Sequence, residues 1–202
     1  MTPAPHIPLL LHTELWWCAA ALLAVRYWSY RNNPTIPKKL SKNPRPGDLA
    51  GGGSDKTSKV ESTLRSALIR SGFKLFPQGT LIVTHPDESG THNRNGKGLG
   101  QHYYTPDVII ARPKPTIIEL DPHYTHRGFD KIKDDVIRNR HYARLGYRVV
   151  RIRTGGAQRL SPNDVVLERD FDPDKHIGKV IRAIRSARYL HVGHWKDFSI
   201  KI

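Results

Sequence analysis

Three carboxylates, Asp107, Glu119 and Asp121, stand at the ends of two short apolar runs, and acidic side chains are depleted in strands. Asp107 precedes Val108, Ile109 and Ile110, while Ile117 and Ile118 lead into Glu119, Leu120 and Asp121. The turn-like stretch Arg112, Pro113, Lys114, Pro115 separates the runs. If they pair as an antiparallel hairpin, the start of one strand meets the end of the other, and Asp107 comes beside Glu119 and Asp121. Side chains alternate along a strand, so Glu119 and Asp121 share a face. Neighbouring carboxylates repel unless a cation or proton intervenes, and hard oxygen donors suit Mg²⁺ or Mn²⁺. The pattern predicts a divalent-metal site. The competing reading pairs these carboxylates with the chain's many arginines.

The whole chain has the charge of a polyanion binder. Its 202 residues carry 33 Lys and Arg against 18 Asp and Glu, a formal charge of +15. Nucleic acid is the commonest partner this implies; an anionic membrane surface and a ribosome-like assembly are the competing partners. Cys18 is the sole cysteine, which excludes an intrachain disulfide and a zinc site built on this chain's cysteines, and suits a reducing, cytoplasmic setting.

The elements that must position the carboxylates can be read around them. Leu15 to Val25 is an apolar run of eleven residues, short of the ~20 a membrane span needs. Residues 13–30 are expected to form a helix, with Thr13 as N-cap and Trp16, Trp17, Trp28 and Tyr30 as interface aromatics. It would dock on a partner protein or on a second subunit of a homodimer, with an interfacial membrane anchor as the alternative. Residues 31–57, with Pro34, Pro37, Pro44, Pro46 and the run Gly51, Gly52, Gly53, Ser54, compose a linker; Lys38 and Lys39 make it basic enough to follow phosphates.

The globular pattern runs over 58–190, followed by a tail at 191–202. Ser58 and Glu61 make a capping box for a helix carrying Val60, Leu64, Ala67 and Leu68, with Gly72 at its end. Strands are expected in 73–76 and 80–84, and a long functional or disordered loop at 85–101, whose His85 and His92, like the following His102, are spaced too irregularly for a zinc site. After the hairpin come a helix over 129–145 stopped by Gly146, a strand over 147–153, a short strand within 164–168, and a last helix striped by Ile177, Val180, Ile181 and Ile184. Asp130, Asp134 and Asp135 are expected to face solvent or pair with Arg138 and Lys131. Arg182, Arg185 and Arg188 on or near the last helix are candidate phosphate contacts. The order predicts an α/β or α+β domain with a mixed central sheet.

The sequence Pro106, Asp107, an eleven-residue gap, then Glu119, Leu120, Asp121 resembles the PD-(D/E)xK nuclease superfamily. His123, His126 and the later stretch Leu145, Gly146, Tyr147, Arg148, Val149, Val150, Arg151 are similar to its small branch related to the very-short-patch repair endonucleases. The resemblance covers about residues 58–153. It implies a restriction-endonuclease-like sheet flanked by helices and metal-dependent hydrolysis of DNA phosphodiesters. Asp107, Glu119 and the Leu120 backbone carbonyl would then be metal ligands, with Glu61 from the first helix as a further one. Asp121 would be a ligand or base, and His123 or His126 the general acid or base. The superfamily's lysine is replaced by Asp121, so Lys131, Lys133 or one of these histidines would take its place. A nuclease-fold protein without catalysis, serving as a DNA-binding or structural subunit, is the alternative.

Overall fold

The computed structural model describes residues 34, 36–39, 44–53, 58–84, 102–122, 129–191 and 194. The expected helix over 13–30, the loop 85–101 and the histidines His123 and His126 lie outside them. The described residues all belong to one unit of the chain, residues 34–202. They form a mixed α/β structure with eight strands, β1 (Leu49–Ala50), β2 (Lys74–Leu75), β3 (Leu81–Thr84), β4 (His102–Tyr104), β5 (Val108–Arg112), β6 (Thr116–Asp121), β7 (Arg148–Arg153) and β8 (Val165–Val166). The helices are α1 (Lys59–Arg70), α2 (Phe129–Arg144) and α3 (Pro173–Ser186).

The central sheet has the order β2-β5-β6-β7-β8. β5 is antiparallel to β2 and β6, whereas β6, β7 and β8 run parallel. Strict alternation distributes its side chains. Val108 and Ile110 of β5, Ile118 of β6, and Val150 and Ile152 of β7 pack with Leu64 and Leu68 of α1 and Val180 and Ile184 of α3. Ile109, Ile117 and Val149 point to the opposite face and pack with Tyr142 of α2. A sheet apolar on both faces needs helices on both, and α2, crossing between the parallel strands β6 and β7, covers the second face.

Chain reversals follow the sequence signals. The Ser58 side chain accepts from the Glu61 N–H at 3.1 Å, capping α1. Gly72, at φ +88°, lets Phe73 N–H reach back to the Leu68 carbonyl at 3.1 Å, and Gly146 plays the same part after α2 with Tyr147 donating to Tyr142.

The linker expected over 31–57 needs correction in part. Leu49 pairs with Ile82 and Ala50 with Leu81, which makes β1 an edge of a second, three-stranded sheet, β1-β3-β4. Ala50 is fully buried, and Gly53 donates to the Gly79 carbonyl at 2.9 Å. A side chain on Gly53 would meet that carbonyl and Thr105 at 2.7 Å, so this glycine is required for close backbone approach rather than flexibility. Two-residue strands carry too little pattern to be read from composition. Among the described residues no helix is long and apolar enough to cross a membrane.

Candidate active site

The β5–β6 ladder pairs Val108 with Ile118, and the same register continued by one residue sets Asp107 opposite Glu119. Leu120 lies beyond the last paired residue of that ladder. Its N–H donates instead to Asp107 Oδ2 at 2.7 Å, so a side chain satisfies a strand-end amide that has no main-chain partner. Asp121 turns its own carbonyl to β7, accepting from Thr154 N–H. By alternation Leu120 turns both its N–H and its carbonyl to the other side, that of β5.

Glu119 is buried, 4 % exposed. Its Oε1 accepts from the Tyr142 hydroxyl at 2.8 Å, and Arg138 Nη1 lies 3.8 Å from the same oxygen. Burial, reinforced by the charge of Asp107, lifts the Glu119 carboxyl to about 7 against the pull of Arg151 and Arg138. Burial likewise lifts Asp107 to about 6, with the Leu120 N–H opposing and Glu61 and Asp121 adding to the rise. Glu61 is raised by its own burial, while Arg65 and the Ser58 N–H lower it and Glu119 raises it. Glu61, Asp107 and Glu119 thus feel one another's charge. Arg65 braces the entry to β5, donating to the carbonyls of Asp107 at 3.3 Å and Phe76 at 2.7 Å.

Asp121 shares the face of Glu119, as strand alternation requires, but arginines hold it. Arg151 Nη1 lies 2.7 Å from both of its oxygens and Arg153 Nη1 lies 2.9 Å from Oδ2. Asp135 completes a four-charge group, 3.1 Å from Arg151 and 3.5 Å from Arg153. Arg151 Nε donates to Asn139 at 2.9 Å. The two opposing charges raise the Arg151 guanidinium above its usual range against the effect of burial. For Asp121 the arginine-paired reading therefore describes its contacts, and its oxygens are engaged. The expectation that Asp135 faces solvent is overturned, since it is 2 % exposed, while Arg138 does feel its charge. α2 turns Asp135, Arg138, Asn139 and Tyr142 toward the sheet at i, i+3, i+4 and i+7, the spacing of a helix's inward face.

The remaining predicted residues are dispersed. Lys131 and Lys133 are exposed near the start of α2, Lys38 and Lys39 are exposed before β1, and Arg182, Arg185 and Arg188 are exposed on and just after α3. Sequence reasoning missed Arg138, Tyr142 and Tyr104 as site residues. Arg138 lies over the Tyr104 ring at 5.2 Å, and the Tyr104 hydroxyl is 3.1 Å from His141 Nδ1. The available signal was the recurrence of polar side chains on the inward stripe of α2.

A half-buried and a buried carboxylate, both raised by burial and by neighbouring acidic charge, have the chemistry of a cation site. Asp107, Glu119 and the Leu120 carbonyl provide hard oxygens, and Mg²⁺ commonly binds through one or two carboxylates while keeping several waters. Among the described residues no three His, Cys, Asp or Glu side chains are grouped to hold a metal by themselves. Set against family models, curated proteins and solved structures, the chain matches none.

Proposed function

We propose that this protein is a metal-dependent endonuclease that hydrolyses phosphodiester bonds in DNA. The observation that carries the reading is the facing pair Asp107 and Glu119 at one end of an otherwise apolar hairpin, held with carboxyls near 6 and 7. Helix, antiparallel hairpin, crossover helix and parallel strand follow in the order that a restriction-endonuclease-like domain would have, and the +15 charge suits a nucleic-acid substrate.

Asp107, Glu119 and the Leu120 carbonyl would hold Mg²⁺ or Mn²⁺, with Glu61 contributing charge from α1. A divalent cation there acidifies bound water and neutralises charge on the attacked phosphate. The chain's own groups set the geometry. Tyr142 fixes one oxygen of Glu119 and leaves the other for a ligand, while Leu120 N–H fixes one oxygen of Asp107. Arg138, partly exposed beside Glu119, offers the nearest fixed cation to an entering phosphate.

One observation favours a second reading, a DNA-binding subunit of nuclease-like fold without catalysis. Asp121, where the superfamily has lysine, is neutralised by Arg151 and Arg153, so that position directs no cation at the carboxylates.

Supercoiled plasmid incubated with Mg²⁺ or Mn²⁺ tests both. Wild-type protein should nick or linearise it, and Asp107→Asn and Glu119→Gln should each cut at least about a hundredfold more slowly, the scale of losing a charge-stabilising group. Binding without cutting by the wild type, in either metal, would move the second reading ahead.

A further inference from the structure

At the opposite end of the sheet from the carboxylates, the β5–β6 turn and the C-terminal half of α3 enclose a cavity of about 170 Å³ lined by Phe73, Pro113, Lys114, Thr116, Ile184 and Arg185. Its floor is apolar, its charged lining is wholly cationic, and no carboxylate lines it. Arg148 pairs with Thr116 across β6 and β7, so the two side chains leave the same face of the sheet. The Nε and Nη1 of Arg148 are buried with no acceptor among the described residues. Buried guanidinium N–H groups left unmatched are costly, so the positive charge of Arg148 at this end is uncompensated. Lys114, Arg148 and Arg185 make no ion pair with any described carboxylate. Arg70 and Arg188, both exposed, extend the positive surface from the ends of α1 and α3.

We propose that this end is a second, separate contact for a nucleic-acid backbone. Lys114, Arg148 and Arg185 bind phosphate, and the cavity between Phe73, Pro113 and Ile184 takes the sugar or base beside it. Planar guanidinium forks match phosphate oxygens, and an apolar floor with a cationic rim suits an anionic ligand that carries a ring. β6 rises about 3.3 Å per residue, so Thr116 in the cavity wall lies roughly 10 Å along the strand from Glu119. It shares with the reading above only the polyanionic partner, and it holds whether or not the carboxylate end cuts.

The test is binding of a fluorescent DNA duplex in EDTA over a salt series, with folding of each variant checked by circular dichroism. Lys114→Glu with Arg185→Glu should weaken binding tenfold or more and flatten the log–log salt slope by about two, one for each phosphate no longer neutralised. Arg148→Gln should flatten it by about one. Lys175→Glu, a reversal on an exposed lysine at the far end of α3, should leave the slope nearly unchanged. Wild-type affinity in the double variant overturns the proposal, as does equal weakening by Lys175→Glu, which reduces the effect to net charge. Loss of binding to phosphatidylserine vesicles with DNA binding intact assigns the surface to a membrane instead and also overturns it. Plasmid cutting in Mg²⁺ is scored separately, so loss of cutting in Asp107→Asn bears only on the carboxylate end.

Discussion

Glu119 shows how the burial of one carboxyl ties the stability of the fold to pH. A carboxyl held above its ordinary value binds its proton more readily in the folded chain than in the unfolded one. Between the two values folding takes up a proton, so stability falls as pH rises. For Glu119 the window runs from 4.5 to about 7, and Asp107 adds a second from 3.8 to about 6. In EDTA the protein should therefore be more stable to urea at pH 5 than at pH 8. Glu119→Gln, which keeps an acceptor for Tyr142, should be more stable than wild type at pH 8 by on the order of 2 kcal/mol, with a flatter pH profile. A variant less stable than wild type at pH 8 would contradict this account. The facing placement of Asp107 and Glu119 was legible because acidic residues end two apolar strands that pair. Their partner Tyr142 was not, because a tyrosine on an amphipathic helix reads equally well as core.

At the scale of elements, β6, β7 and α2 are joined by the charges of Asp121, Asp135, Arg151 and Arg153. Removing one member of a buried pair leaves its partner desolvated and unmatched, which costs more than the pair contributes. Arg151→Ala should lower stability by about 3–5 kcal/mol in urea denaturation, whereas Arg151→Met with Asp121→Leu should recover much of that loss. If the single variant loses less than about 1 kcal/mol, the pair is not desolvated as the distances indicate. Helix and strand positions here were readable from periodicity, and α1, α2 and β7 begin and end within a residue or two of expectation. The destination of the arginines was not. The alternation of Tyr147 to Arg153 shows that Val149, Arg151 and Arg153 share a face, but only the three-dimensional position of α2 reveals that this face is buried.

For the whole molecule, the mixed α/β class was legible from element order, while the second sheet was not, because β1 and β4 are too short to carry a pattern and pair across large sequence gaps. The central sheet separates two chemistries: carboxylates at one end, cations around an apolar cavity at the other. A ligand that binds only the folded chain stabilises all of it. Saturating Mg²⁺ or Mn²⁺, about a hundred times its dissociation constant, should raise stability by about 2.7 kcal/mol, a Tm increase of several degrees for a domain of this size. Glu119→Gln should abolish the increase in differential scanning fluorimetry. A full increase in that variant would place the cation elsewhere.

The bond from Leu120 N–H to Asp107 Oδ2 gives this chemistry a built-in reporter. That amide proton shields itself from solvent exchange through a carboxylate rather than through a neighbouring strand, so its resonance senses whatever Asp107 binds. Protonation of Asp107 weakens the bond and should shift the signal upfield, while a cation on the other oxygen should move it along a different course. One backbone resonance in a nitrogen-15 spectrum thus distinguishes a shared proton from a bound metal, without any substitution and without a substrate.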